Sequence, residues 1–212
     1  MVVLSRGRFV TFEGGEGAGK STQLRRLADA LSARGVDCRL TREPGGTAGA
    51  EAIRELIVHG PAERWRPLAE LYLFLAARED HLHRAILPAL AGGQWVLCDR
   101  YADSSRVYQG IADDLGLELV DGLQAPLLAK RLPDLTLVLD LPVELGMARC
   151  VQRGALARFE ARGRAYHQRV REGFQRLASL EPGRFAVIDA SGDQDAVAAA
   201  ILRAVEARLA VP

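Results

Sequence analysis

The chain has 212 residues with 28 basic and 27 acidic side chains, enough for one domain with a sizeable core and too balanced in charge to be drawn as a whole onto nucleic acid or a membrane surface. Its three cysteines, Cys38, Cys98 and Cys150, form no CxxC pair and leave an odd count, which excludes a disulfide framework and a cysteine-built zinc site and fits core residues of a cytoplasmic protein. No apolar run approaches the ~18 residues of a membrane span, and the apolar part of MVVLSRGRF is too short for a secretory signal.

In chain order, RFVTFE is an apolar run of strand length. It leads into Gly14, the four residues Gly15, Glu16, Gly17 and Ala18, then Gly19-Lys20-Ser21-Thr22, the phosphate-binding loop pattern in its informative setting after a strand and before a helix. Missing side chains let backbone N–H groups converge on phosphate oxygens, and the following helix points its partial positive end at the same anion. Lys20, one of only two lysines with Lys130, is placed to reach the β- and γ-phosphates, and Ser21 to give its hydroxyl to Mg²⁺. In STQLRRLADALSARG, Leu24, Leu27, Ala28 and Leu31 recur at helix spacing and Gly35 supplies the stop.

VDCRLT reads as a second buried strand, followed by TREPGGT and a helix over 48–59. A longer helix over 68–90 carries Phe74 and Arg78 four apart on one stripe, beside the arc of Leu68, Leu71, Tyr72 and Leu75. Periodicity alone makes Phe74 the edge of the core and Arg78 a surface residue. The histidines His59, His81, His83 and His167 are scattered, and no metal is assigned to them. WVLCDRY is an apolar strand ending in Asp99-Arg100, an acid able to hold a Mg²⁺ shell beside an arginine able to fork onto a phosphate.

Helices over 117–129, 143–153, 166–180 and 194–209 alternate with the strands LTLVLD and FAVID. This alternation predicts an α/β fold, a mostly parallel sheet with helices on both faces. No repeat or linker divides residues 1–212, so one domain is expected. Switch-type GTPases would carry N-K-x-D and protein kinases H-R-D and D-F-G, and neither set is present.

Taken together, FEGGEGAGKSTQ, TREPGGT, FLAAR, LCDRY, DSSRVYQG, PDLTLVLDLP, the arginine-rich stretch after Arg149 and VIDAS resemble the thymidylate kinases, P-loop NTPases of the nucleoside monophosphate kinase type that phosphorylate dTMP with ATP. The resemblance runs over essentially the whole chain. It implies that Phe74 stacks on thymine, that Arg78 bonds a ring carbonyl, and that Ser105 and Gln109 address the base. Tyr108 would crowd the sugar's 2′ position, Arg54 and Arg100 hold the acceptor phosphate, Glu16 address the 3′-hydroxyl, and Glu43 line the same pocket. A lid over about 150–164 would bring Arg153 and Arg158 onto the transferring phosphoryl group, completing with Lys20 and Arg100 the catalytic set. Arg162, Arg164 and Arg169 read as a solvated basic face.

Some relatives carry an arginine in the loop where this chain has Gly17, which favours lid arginines as the source of that charge here. Ala155 and Ala157 replace acidic residues found in some relatives, and IADDLG follows YQG where others are richer in glycine. In the segment VIDAS, Asp189 and Ala190 would pack along adenine, with Arg149 on its other face. The resemblance also implies a homodimer packed through helices. Two other functions stay open: a nucleoside monophosphate kinase with another acceptor such as dUMP, and a catalytically silent nucleotide-binding module.

Overall fold

Every residue of β1 (Phe9–Glu13) is buried, because this strand lies in the middle of a parallel sheet covered on both faces. The structure is a computed structural model and describes residues 7–61, 63–152, 154, 158–159 and 161–211. The chain continues through α1 (Lys20–Ser32), β2 (Cys38–Arg42), α2 (Ala48–Val58), α3 (Pro67–His81), a π-helical turn at Leu82–Ile86 and α4 (Leu87–Ala91). Next come β3 (Trp95–Asp99), α5 (Ala102–Ser105), a second π-helical segment at Arg106–Ala112, α6 (Leu117–Leu128) and β4 (Leu135–Asp140). The last elements are α7 (Val143–Gln152), α8 (Arg164–Leu180), β5 (Phe185–Asp189) and α9 (Gln194–Arg208).

The strands pair in the order β2-β3-β1-β4-β5, all parallel. Alternation along the strands separates two cores. Val10 and Phe12 meet Leu97, Leu135 and Leu137 on one face, where α1 supplies Leu24, Leu27 and Leu31 and α9 supplies Val197, Ile201 and Val205. On the other face Phe9, Val96 and Cys98 pack against Leu82, Ile86 and Tyr101, and Val138 against Val107, Val170, Phe174 and Leu177. The expected α/β architecture with helices on both faces is the one observed.

The differences from expectation are local. VDCRLT and FAVID read as buried strands, yet β2 and β5 are the two edges and are only partly covered. An apolar run announces a strand, whereas strand order decides how much of it is covered. The expected helix over 68–90 follows one path but widens to a π turn, in which the N–H of Leu87, the residue before Pro88, bonds the Leu82 carbonyl; proline has no N–H to continue a regular ladder. The segment from Ala102 to Ala112 is helical and was not expected to be, since its buried face mixes apolar Val107 and Ala112 with polar Asp103, Ser105 and Gln109 and so shows no clear apolar period. From β1 the chain crosses past β3 to β2 and later reaches β4 on the other side of β1. That divergence opens a crevice at the carboxyl ends of the strands.

Candidate active site

The crevice is a cleft of about 910 Å³ whose floor is the turn between β1 and α1. Gly14 adopts φ 129° and Gly17 φ 71°, and a Cβ on Gly17 would lie 2.1 Å from the Gly146 carbonyl oxygen of α7. The loop is thus pressed against α7, and only glycine combines that conformation with that proximity. Gly19, at the N-cap of α1, gives no side-chain cap, and the first turn holds no acid, so the uncapped N–H groups and the positive end of the helix dipole face the cleft. Lys20 is buried, its Nζ donating to the carbonyls of Gly15 at 2.8 Å and Gly14 at 3.2 Å. Burial, with Arg100 nearby, lowers its pKa.

Ser21 Oγ donates to Asp99 Oδ2 at 2.6 Å, so the two residues expected at the metal come together from β3 and the start of α1. A hydroxyl and a carboxylate are hard oxygen donors suited to Mg²⁺, which takes its other ligands from phosphate and water. The donor set fits. Among the described residues no cluster of three or more histidine, cysteine or acidic side chains offers an all-protein metal site.

Arg100 follows Asp99 directly and sits at φ 71°, a left-handed conformation rare for a side-chain-bearing residue. Its N–H bonds the Phe12 carbonyl at 2.9 Å. The guanidinium donates to Gly14 O at 3.1 Å and to Glu16 Oε1 at 2.8 Å, and lies 5.0 Å from the centre of the Tyr108 ring. Tyr108 donates its hydroxyl to the same Glu16 oxygen at 2.9 Å. Burial works to raise the Glu16 pKa, but Arg100, Lys20 and the Tyr108 hydroxyl outweigh it and bring it down to about 2. A fixed negative charge therefore stands beside the phosphate loop.

Deeper in the cleft, Arg78 is 1 % exposed. Nε donates to Glu43 Oε2 at 2.7 Å, Nη1 to Gln124 Oε1 at 3.2 Å, and Nη2 to Tyr101 O and Ser105 Oγ, both at 3.1 Å. Among the described residues this occupies four of its five N–H groups and leaves one on Nη1. His81 bridges Glu43 Oε1 at 3.1 Å and Thr41 Oγ1 at 2.6 Å. Burial disfavours the Glu43 charge, yet Arg78 and His81 hold its pKa below the usual value. Arg54 donates to Pro44 O at 2.7 Å, and burial together with Arg42 lowers its pKa. Phe74 stands 6.2 Å from Phe159, which meets Tyr108 edge-on at 6.0 Å.

The structure thus brings together all nine residues expected around the acceptor. Glu16, Glu43, Arg54, Phe74 and Arg78 line the cleft, and so do Arg100, Ser105, Tyr108 and Gln109. A sequence model of the family described as Thymidylate kinase matches residues 12–201. The chain belongs to the thymidylate kinase family. It is 54% identical over 206 residues to a thymidylate kinase of Caulobacter vibrioides, covering 97% of this chain and 99% of that protein. A thymidylate kinase of Rhizorhabdus wittichii is 52% identical over 200 residues, covering 93% and 96% of the two chains. The crystal structure of a thymidylate kinase from Ehrlichia chaffeensis superposes with a TM-score of 0.76 at 33% identity, covering 94% of this chain and 98% of that one. The fold is accordingly that of the P-loop kinases, and the chain is a kinase.

Between α7 and β5, Arg149 Nη1 reaches Gly17 O at 3.5 Å and Ala190 O at 3.4 Å, and Asp189 caps the turn by accepting from the Ser191 N–H at 2.9 Å. Arg149 thus links the turn after β5, at Ala190, to the phosphate loop at Gly17. Arg153 lies outside the described residues. Arg158, expected over the transferring phosphoryl group, is 4 % exposed and turned into the wall formed by α2, α3 and the loop between them. It pairs with Glu70 and donates to Ile57 O at 3.1 Å and Pro61 O at 3.0 Å. Burial in an ion pair draws it away from the cleft, a placement that its position in an arginine-rich stretch does not disclose.

Sequence reasoning also missed Glu13, Glu70, His81 and Phe159. Glu70 had a signal, standing four residues before Phe74 and eight before Arg78 on one helix stripe. The arc read there as apolar core is in fact split, with Leu71 buried and Leu68 and Tyr72 exposed. Beside Leu71 and Ala77, α3 buries three polar side chains, Glu70, Arg78 and His81, each with partners.

Proposed function

We propose that the chain transfers the γ-phosphoryl group of ATP to dTMP, giving dTDP and ADP, as a single-domain cytoplasmic homodimer. The observation that carries this reading is the one cleft in which the phosphate loop, Arg100 and the thymidine-type residues face each other. ATP phosphates lie along the loop amides and the start of α1, with Lys20 at the β- and γ-phosphates. Arg54 and Arg100 take the acceptor phosphate, Phe74 the face of the base, and Arg78, Ser105 and Gln109 its edge. Tyr108 closes the 2′ side and Glu16 receives the 3′-hydroxyl. Arg149, Asp189 and Ala190 take adenine.

The attacking atom is a phosphate oxygen already largely ionised near neutral pH, given a second pKa of about 6, so no general base is needed. The protein's own work is positioning and neutralising charge. Ser21 and Asp99 would hold Mg²⁺, which when bound neutralises charge on the β- and γ-phosphate oxygens. Arg153 is assigned to the transferring group, and Arg158 is removed from that role because its guanidinium is engaged with Glu70.

A homodimer is supported by α3, which packs against both α2 and α6 and leaves Leu68 and Tyr72 exposed, with Leu56 and Leu119 exposed on its neighbours. No helix among the described residues is long and apolar enough to cross a membrane. An assay coupled to ADP release, run with dTMP, dUMP, dCMP, AMP and GMP, tests the reading. dTMP should give the highest kcat/KM and dUMP the next, since one methyl group is worth only about 1–3 kcal/mol. Preference for a purine acceptor refutes the acceptor assignment, and no turnover with any acceptor refutes the enzyme.

A further inference from the structure

Glu70 is 1 % exposed, and its two carboxylate oxygens face different partners. Oε2 is paired with the Arg158 guanidinium, and Oε1 accepts from Gln109 Nε2 at 2.8 Å. Arg158 is held in place by the Ile57 and Pro61 carbonyls. A guanidinium can only donate, and the carboxylate facing it can only accept. The Gln109 amide is therefore left one orientation: its nitrogen faces Glu70, and its carbonyl oxygen is turned away from Glu70. Gln109 itself is 1 % exposed and lines the cleft.

We propose that Glu70 is a positioning residue that sets base specificity, holding the Gln109 amide so that its carbonyl oxygen meets the N3 edge of the acceptor base. This rests on the reading that Gln109 addresses that base. Thymine and uracil carry a hydrogen on N3, whereas cytosine presents a bare lone pair there. A fixed carbonyl matches the first two and opposes the third, so discrimination comes from a repulsive contact as much as from an attractive one. The base contact belongs to Gln109, but its sign is set by a residue one layer behind.

The decisive variant is Glu70→Gln. Facing Arg158, the new side chain must present its oxygen, which turns its NH₂ toward Gln109. Gln109 then has to rotate to accept, bringing its own NH₂ round to N3. The ratio of kcat/KM for dTMP to that for dCMP should contract at least ~tenfold, with the KM for ATP within about twofold of the parent. A merely structural role would lower both acceptors together, and an unchanged ratio overturns the proposal. Gln109→Ala separates this from the underlying reading: if that variant leaves the ratio intact, Gln109 does not address the base, whereas collapse there with no change in Glu70→Gln sinks only the role of Glu70. Should Glu70→Gln not fold, the parent protein decides by NMR. One side-chain N–H of Gln109, identified by its loss in Gln109→Ala, should exchange slowly with D₂O, and exchange at the rate of a free amide overturns the proposal.

Discussion

Glu13, at the end of β1, is completely buried and accepts three hydrogen bonds: from the Tyr101 N–H at 2.8 Å, the Ser104 N–H at 3.2 Å and the Ser104 hydroxyl at 2.6 Å. Burial raises its pKa; Arg100 pulls it down and Asp103 pushes it up, and the result is about 7 against an ordinary 4.5. The folded protein thus holds this proton more tightly than the unfolded chain. Stability from that proton is fully present below pH 4.5 and is lost as the pH rises to about 7. Each pKa unit corresponds to about 1.4 kcal/mol, so the loss is roughly 3 kcal/mol. Glu13→Gln copies the protonated shape, its oxygen accepting from the two N–H groups and its nitrogen donating to Ser104, and carries no charge to desolvate. Urea unfolding of both proteins from pH 5 to 8.5 should show near-equal stability at the acid end. At pH 8 the variant should lead by roughly 3 kcal/mol. A difference that does not grow with pH refutes the reasoning. Above pH 7, where the Glu13 carboxyl is ionised, the same variant should turn over more slowly, because it removes a negative charge 4.0 Å from Arg100.

Three further outcomes follow from the site. Phe74→Ala should raise the Kd for dTMP with little change in ATP affinity, because its ring lines the cleft and, on the proposed reading, meets the acceptor base; unchanged dTMP affinity by calorimetry would return the residue to a packing role. Gly146→Ala would place a Cβ 2.4 Å from the Glu16 carbonyl oxygen and displace the phosphate loop, so KM should rise for ATP and dTMP together. Wild-type values for both would show that the close contact does not matter. Arg153→Ala should cut kcat far more than it weakens dTMP binding, and an effect confined to dTMP binding would count against a role at the transferring phosphoryl group.

Some of the site was legible because local chemistry dictates it. A phosphate loop needs glycines, one lysine and one hydroxyl at fixed spacing on consecutive residues, so Gly14 through Thr22 could be read directly. Asp99 and Arg100 stood out as charges at the end of an apolar run. The pairing of Glu70 with Arg158 did not, because 88 positions separate them: Arg158 was expected at the transferring phosphoryl group, and Glu70 alone resembles a solvated surface charge. His81 was one scattered histidine until Glu43 and Thr41 closed on it. The helical segment after Tyr101 lacked an apolar period to announce it, and the group that caps its start, Glu13, comes from β1, far away in sequence.

The sequence by itself determined the strand and helix alternation, the anion-binding turn and, through its motifs, the family. These are properties of neighbours along the chain, where spacing and residue type set backbone conformation and charge within a few residues. Only the tertiary structure decided which strands form the sheet edges, which arginines face the cleft, and which way the Gln109 amide is turned. Burial makes an unpaired charge or donor costly, so the orientation of each buried polar group is set by partners that meet only when the sheet has assembled.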